Sequence, residues 1–582
     1  MTAGRVLRLL RALLIVVAVL AVLGAAAFYW IRTQRARADL VLRGGRIITL
    51  DESIPDAQAL AAREGRIVAI GSSEEVARHI GWWTRVIDLD GYVAVPGFIE
   101  GHGHFAGLGE YQMGIDLRDT TSWEQIVDLV GQAVAKARPG QWIVGRGWHQ
   151  DKWTTAPQPT VSGFPTHQSL DRVSPDNPVV LRHASGHASF VNARAMVLSE
   201  INRETPDPAG GQILKDANGE PTGLLRETAS NLIRTGAGEP PATVEEAQVR
   251  LREMLALADR EAISKGVTSF HDAGTTPDVI ESMKRMIDEG ALQTRLFVML
   301  RAGEDGLSAI DLAAAKILGY GDHHLTVRSI KWMMDGALGS HGAWLLEPYA
   351  DLPGSTGLPR SLDVLELTAE LAIQHDYQMA VHAIGDRANR EVLNVYEEVF
   401  RKARRNGTDL RWRIEHAQHL SAADIPRFGQ LGVIASMQGV HATSDAPFVA
   451  ARLGDTRARE GAYVWRDLMN SGAIVTNGTD APVEDIDPIA NYYATVTRRT
   501  ADGRLFYADQ KMSRTDALRS YTIQNAFAAF EDGIKGTLSL GKLADITVLT
   551  RDITTVPEDE IRQARVAYTI IGGRVVYESD GR

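Results

Sequence analysis

Hydrophobic and polar positions divide the chain into three regimes. The first is a single unbroken apolar run. Residues 13–31, LLIVVAVLAVLGAAAFYWI, contain no charged side chain; Arg5, Arg8 and Arg11 precede them and Arg32, Arg35 and Arg37 follow. About 20 apolar residues in a helix span a bilayer, and Phe28, Tyr29 and Trp30 have the character of an interfacial belt. This pattern predicts an N-terminal transmembrane anchor over residues 1–37. A cleaved signal peptide is the alternative, with GAAA as a small-residue cleavage site. The run is longer than an ordinary signal core and aromatics follow the alanines, which favours the anchor. Arginines on both sides leave its orientation undetermined.

The second regime consists of short alternating runs between glycine and charged turns, and it occurs at both ends of the remaining chain. Near the start these are DLVLRGGRII (39–48), RIVAI (66–70) and RVID (85–88). Near the end they are ADITVL (544–549), VAYTII (566–571) and RVVY (574–577). Such runs read as strands. Chain ends often lie close together, so residues 38–92 and 536–582 are expected to form one small β-sandwich domain.

The third regime, residues 93–535, alternates β-branched runs with amphipathic helical stretches such as 244–263 and 364–374. Strand-like runs fall at 93–99, 267–271, 295–300, 327–333, 378–382, 411–416, 433–437 and 473–477. Repeated β-then-α units imply a parallel sheet, and eight of them imply a closed barrel. The predicted class is therefore α/β, a distorted TIM (β/α)8 barrel. The interval from about 105 to 260 is too long for one crossover and contains the strand-like runs WIVGRGW and PVVLRHASGHASFVN, so it reads as an inserted subdomain after the first strand.

Composition narrows the chemistry. The chain has 582 residues, 44% hydrophobic and 23% charged, an ordinary globular balance. A net charge of −11 without a long basic block argues against a nucleic-acid partner. The absence of cysteine removes disulfides, thiolate metal sites and cysteine nucleophiles together. A large cysteine-free domain behind an anchor is expected outside the cytoplasmic membrane, on the periplasmic or extracellular side. There is no G-x-S-x-G elbow, no phosphate-loop spacing and no EF-hand pattern.

In a barrel of this kind active sites lie at the C-terminal ends of the strands. The first predicted strand runs into VPGFIEGHGHF, ending in His102 and His104. Strand four carries Lys331, strand five ends in His382, strand six in His416, and strand eight runs into Asp480. Residues two apart on a strand face the same way, so His102 and His104 can grip one cation. Neutral imidazole suits zinc and its neighbours. His382, His416 and Asp480 can complete the coordination, and Asp480 can take a proton from activated water. Each residue alone also has an ordinary structural reading. It is their joint placement at strand ends that points to a metal centre.

The motifs VPGFIEGHGH, GEPTGLLRE, DGALGS, EPYADLPGSTG, HAIGDRA, RIEHAQ, GTDAPV and GTLSLGKLADITVL resemble those of the amidohydrolase superfamily, specifically its amidohydrolase family 3 branch, which includes N-substituted formamide deformylases. The likeness covers roughly residues 38–580. It implies a metal-dependent hydrolase acting on a non-peptide C–N bond, an amide or N-formyl group, by attack of metal-bound hydroxide with Asp480 as general base and His416 beside it. It implies one or two divalent ions, zinc first, with His102, His104 and Asp480 on the more buried ion and His382 and His416 on a second ion or on the substrate. In several relatives the lysine at the place of Lys331 is carboxylated and bridges two metals; a one-metal site with unmodified Lys331 remains the alternative. A deaminase or cyclic-amide hydrolase on the same scaffold is the second reading, and a non-catalytic binding module a third.

The sequence departs from the branch at Ser185, His341, His149 and Gly439, all in segments expected to shape the substrate pocket. His183, His187, His341, His441 and Trp148 are the candidate substrate-binding residues. The expected partners are a small amide-type molecule and, through the anchor, a membrane. A homodimer is left open.

Overall fold

The computed structural model describes residues 13–24, 37–208, 210–238, 243–303, 307 and 310–579. Residues 13–24 are helical and exposed. Among the described residues no helix is long and apolar enough to cross a membrane. The rest of the expected anchor, residues 1–12 and 25–36, lies outside the described residues.

Eight parallel strands form a nearly closed barrel. They are β1 (Phe98–Gly103), β2 (Val267–Thr275), β3 (Arg295–Arg301), β4 (Leu325–Met333), β5 (Gln378–Ala383), β6 (Arg413–His416), β7 (Ile434–Gln438) and β8 (Val475–Gly478). Each pairs with the next in chain order from β1 to β8. Strands buried on both faces need not alternate apolar and polar residues, and β1, β2, β5, β6, β7 and β8 are buried at every position.

The seam between β8 and β1 carries no strand ladder among the described residues and is stitched instead by side chains and, at its upper end, by two backbone hydrogen bonds. Asn525 Nδ2 donates to Ile99 O at 2.7 Å and to Asn477 O at 2.8 Å. Glu100 accepts the Thr479 N–H at 2.6 Å and its hydroxyl at 3.0 Å. Above them Asp480 N donates to His102 O and His104 N to Ala481 O, both at 2.7 Å. Gly101 has to be glycine, because a Cβ there would sit 2.4 Å from Asn477 O.

The expected first strand, 93–99, splits in two. Val93–Pro96 belongs to a different sheet, and the barrel strand begins at Phe98. Gly97 marks the break. A side chain there would collide with Thr268, whose Oγ1 lies 2.3 Å from the Cβ position. The shift places His102 inside β1 rather than beyond its end.

Both chain ends enter one continuous eight-stranded sheet. Its order is Arg574–Glu578, Val566–Ile571, Ile546–Leu549, Val93–Pro96, Leu40–Ile48, Asp56–Arg63 and Arg66–Gly71, with Arg85–Asp88 also paired to Leu40–Ile48. This end sheet meets the barrel at the N-terminal ends of the strands. Arg295, the first residue of β3, is ion-paired to Asp545 at 2.8 Å with both side chains buried. Lys535 donates to Ser269 of β2 at 2.9 Å.

Between β1 and β2 lies a six-stranded sheet running from Ile115–Asp116 to Pro221–Glu227. It has its own core, including Trp123, Trp148, Leu181 and Phe190. The helix Val244–Ser264 leads back to the barrel, opened by a capping box between Thr243 and Glu246.

Candidate metal centre and the cavity above it

Six side chains from five strand ends converge. The ligand atoms of His102, His416 and Asp480 lie within 4.8 Å of one another, all buried. His104 Nε2 is 3.2 Å and His102 Nε2 3.6 Å from Asp480 Oδ1. The ring of His416 stands 4.6 Å from His102 and 4.5 Å from His382. Lys331 Nζ is 3.4 Å from His102 Nε2.

His416 and Asp480 owe their positions to the backbone. Both take left-handed φ angles, +75° and +58°, which L-residues with side chains adopt at a cost and which cluster at functional sites. There the chain leaves the strand and the side chain turns over the barrel mouth.

The donor set fits a divalent cation. His102 Nδ1 is hydrogen-bonded to Glu415, and His416 Nδ1 lies 2.7 Å from Gln438 Oε1, so each ring turns Nε2 toward the centre. His382 Nε2 is buried with no hydrogen-bond partner among the described residues, and buried Asp480 Oδ1 has only the His104 Nε2 contact at 3.2 Å. Buried polar atoms are normally paired, and unpaired lone pairs that converge are what a metal ion satisfies. Burial pushes the His102 imidazole down to about 4, with Lys331 adding to it, and holds His382 and His416 well below the ordinary value. Neutral imidazole is the ligating form. Burial opposes the charge on Asp480, yet the surrounding His102, His104 and His416 hold its carboxyl well below the usual range. Burial also lowers Lys331 to about 8.

Sequence reasoning missed the residues behind these candidate ligands. Glu415 is wholly buried and bonded to Arg413 at 2.6 and 2.9 Å as well as to His102. Burial would raise its carboxyl, but Arg413 and His102 outweigh that and hold it well below the usual range. Arg413 also reaches Gly101 O and Ser436 Oγ, each at 2.8 Å. Asp335 accepts the N–H groups of Ile384, Gly385 and Trp344 at 3.0, 2.8 and 2.8 Å, and its Oδ1 lies 3.5 Å from His382 Nε2. The two-residue period of RIEH was the available signal for Arg413 and Glu415, since it puts both on one face of β6.

A cavity opens above the centre. His382, His416 and Asp480 line it from below. His183 and His187 come from the inserted sheet, and Gln418, His441, Asp445 and Phe448 come from the segments after β6 and β7. His183 Nε2 lies 3.0 Å from Gln150 Oε1. His441 lies 3.1 Å from Gln418 Nε2 through Nδ1, with its Nε2 unpaired among the described residues. His187 is the most elaborately held. Its Nδ1 is 2.7 Å from Glu227 Oε2, and its ring is 5.0 Å from that of His382. Glu227 accepts the Ser340 hydroxyl at 3.1 Å and sits against Gly336 and Gly342, where any Cβ would fall 2.2 Å from the carboxyl group. Burial works against a charge on His187, but Glu227 outweighs it and raises the imidazole.

Two expected substrate contacts do not line this cavity. Trp148 is fully buried in the core of the inserted sheet, its Nε1 donating to Leu181 O at 2.9 Å, and stands behind His183 at 4.6 Å. A large apolar ring is more favourably placed in that core than on a polar cavity wall. His341, at φ +60°, faces Asp351 at 3.2 Å and Tyr349 instead. His149, noted only as a departure from the branch, does line the cavity, stacked on Phe448 at 5.4 Å.

The chain is similar to known proteins in sequence and in fold. The profile described as the amidohydrolase family matches residues 85–577. Protein LONG AFTER FAR-RED 3 of Arabidopsis thaliana is 34% identical, over 93% of this chain and 92% of its own. The N-substituted formamide deformylase of Arthrobacter pascens is 27% identical, over 93% and 99%. Among solved structures, an uncharacterized metal-dependent hydrolase from Pyrococcus horikoshii superposes with a TM-score of 0.70 at 26% identity, covering 89% of this chain and 99% of that one.

Proposed function

The chain belongs to the amidohydrolase family, in its family 3 branch, and on that footing we propose that it hydrolyses a non-peptide carbon–nitrogen bond in a small amide or N-formyl compound. The observation that carries this is the convergence of His102, His416 and Asp480, with ligand atoms within 4.8 Å of one another. His102, His104 and Asp480 would hold one divalent ion, and His382 and His416 a second ion or the substrate. The imidazole and carboxylate donors suit zinc. Such an ion supplies Lewis acidity, making a coordinated water acidic near neutral pH and polarising a carbonyl.

The rest of the work falls to the chain. Asp480 accepts the proton of the attacking water and passes it to the departing nitrogen. His416, oriented by Gln438, stays neutral and adjacent. Lys331, buried beside His102, is the residue that carboxylation would turn into a bridge between two ions. His183, His187 and His441 present polar atoms to the substrate. The deformylase relative supports the N-formyl choice within the amide class.

The test is a panel of N-formyl and N-acyl amines assayed alongside metal analysis. Hydrolysis by the metal-loaded protein, lost in Asp480→Asn with folding intact, is expected. Undiminished turnover in Asp480→Asn, or in metal-free protein, overturns the reading.

We also propose that residues 13–31 anchor the chain in a membrane with the barrel on the extracytoplasmic side. The uncharged run, its flanking arginines and the cysteine-free domain support this. Resistance of the full chain to alkaline extraction from membranes, with protection of the barrel from protease added on the cytoplasmic side, is the expected outcome.

A further inference from the structure

Tryptophan is buried throughout most of this fold. Trp148, Trp332, Trp412 and Trp465 are at most 1% exposed. Trp82 and Trp83 break that pattern at 71% and 40%, their rings edge to face 5.5 Å apart on the surface of the end sheet.

Their place in the chain supplies a reason. The loop that carries them is fastened to the residues where the described domain begins. Ala38 N donates to His79 O at 2.8 Å, and the Thr84 hydroxyl donates to Ala38 O at 2.6 Å. Arg37 donates to Arg78 O. Arg37 is only six positions beyond Ile31, the last of the apolar run. At about 3.5 Å per residue that is a tether of at most about 20 Å. The indoles therefore sit beside the point where residues 13–31 hand over to the folded domain.

Several arginines stand around the loop. His79 is held below its ordinary value by burial and then by Arg78, Arg37 and Arg63, which puts three guanidinium groups around the loop. Arg32 and Arg35 follow the apolar run in sequence. Acidic groups stand near by as well: Asp39 accepts the Glu64 N–H at 2.7 Å, Glu74 and Glu75 open the short helix before the loop, and Glu578 pairs with Arg85 at 2.7 Å. Tryptophan prefers the interfacial layer of a bilayer, and neighbouring arginines are drawn to anionic headgroups.

We propose that the Trp82–Trp83 face is a membrane-contact surface, laying both indoles in the interfacial layer of an anionic bilayer beside the exit of residues 13–31. This rests on the anchoring of that run proposed above. The end sheet joins the barrel at the strand ends opposite His102, His416 and Asp480, so the docking face and the cavity belong to different ends of the barrel.

The absence of native cysteine makes the test direct, because one introduced thiol takes one label. Full-length Trp83→Cys and Leu352→Cys carry an environment-sensitive fluorophore in vesicles of phosphatidylcholine with phosphatidylglycerol. Leu352, 41% exposed in the segment after β4, reports from the cavity end. At position 83 the label is expected to shift to the blue, to be quenched by nitroxide lipid and to be shielded at least several-fold from aqueous iodide. At position 352 none of these should occur. If the chain is in the vesicles but both labels are equally open to iodide, the docking face is overturned while the anchor stands. If the chain does not associate with vesicles, both fail.

Discussion

The Glu415 carboxylate binds Nδ1 of His102 and is itself gripped by Arg413 at 2.6 and 2.9 Å, so the first metal-type ligand of the barrel is oriented from the far side of the lumen. A carboxylate on the outer nitrogen of a ligating imidazole sets its tautomer and ring orientation, and its loss typically costs 10–100-fold in metal affinity. Glu415→Gln should therefore fold and still weaken metal binding by about that factor, read by competition with a chelator. Unchanged affinity would show that the pair only fills space.

The same arrangement recurs above the centre in His187 and Glu227, 2.7 Å apart. Glu227 holds a positive φ of 49° in a cradle of two glycines, so its geometry is imposed by the surrounding structure rather than preferred by the residue. His187→Ala is expected to lower kcat/KM by about 100-fold without loss of bound metal, as for removal of a positioned proton-transferring or polarising side chain. Glu227→Gln should have a smaller effect in the same direction. Steady-state kinetics beside metal analysis separate these effects from damage to the metal centre.

Asn525 holds the two strands of the open seam through one amide nitrogen, at 2.7 and 2.8 Å. Asn525→Leu strands the carbonyls of Ile99 and Asn477 in the interior. A buried group left unpaired costs about 1–3 kcal/mol, so denaturant titration should show a loss of at least that size. Metal affinity should fall as well, because His102 and Asp480 sit on the two sides of that seam.

Asp545 and Arg295 join the end sheet to the barrel. Removing one partner of a buried pair costs about 3–5 kcal/mol, since the other charge is left unpaired, and Asp545→Asn should be destabilised by that order. Burial alone would raise the Asp545 carboxyl; Arg295 outweighs it and lowers it below the ordinary value. A carboxyl depressed in the folded state contributes stability above its unfolded value of about 3.9 and loses it as the pH falls through the folded value. The gap in denaturation midpoint between wild type and Asp545→Asn should thus be full near neutrality and shrink in strong acid.

Stripping the metal-loaded protein with a chelator should abolish hydrolysis and lower the thermal midpoint, with zinc restoring both. A ligand bound only by the folded state stabilises it by mass action, and buried donors such as His382 Nε2 and Asp480 Oδ1 would lose a partner when it leaves.

Much of this was legible in the chain, for local reasons. Buried parallel strands need runs such as LFVML, and a metal grip on a strand needs residues two apart, so β3 and the HGH of residues 102–104 could be read directly. The break at Gly97 could not, because the clash that forces it comes from Thr268, 171 positions along the chain. Nor could the fate of Trp148 and His341. Each stands near an expected pocket motif, but whether a side chain points into a cavity or away from it depends on what packs against its other face.

The amino-acid sequence alone determined the barrel class, the strand ends that carry metal-type residues, and the apolar run at the N-terminus, because hydrophobic period and residue type are properties of short segments. Tertiary structure alone decided that Glu415 reaches His102, that Glu227 backs His187 from an inserted sheet, and that Trp82 and Trp83 stand beside the entry of the chain. Those relationships join residues tens or hundreds of positions apart. Burial and hydrogen-bond satisfaction act on atoms that are neighbours in space, and no sequence period encodes such neighbours.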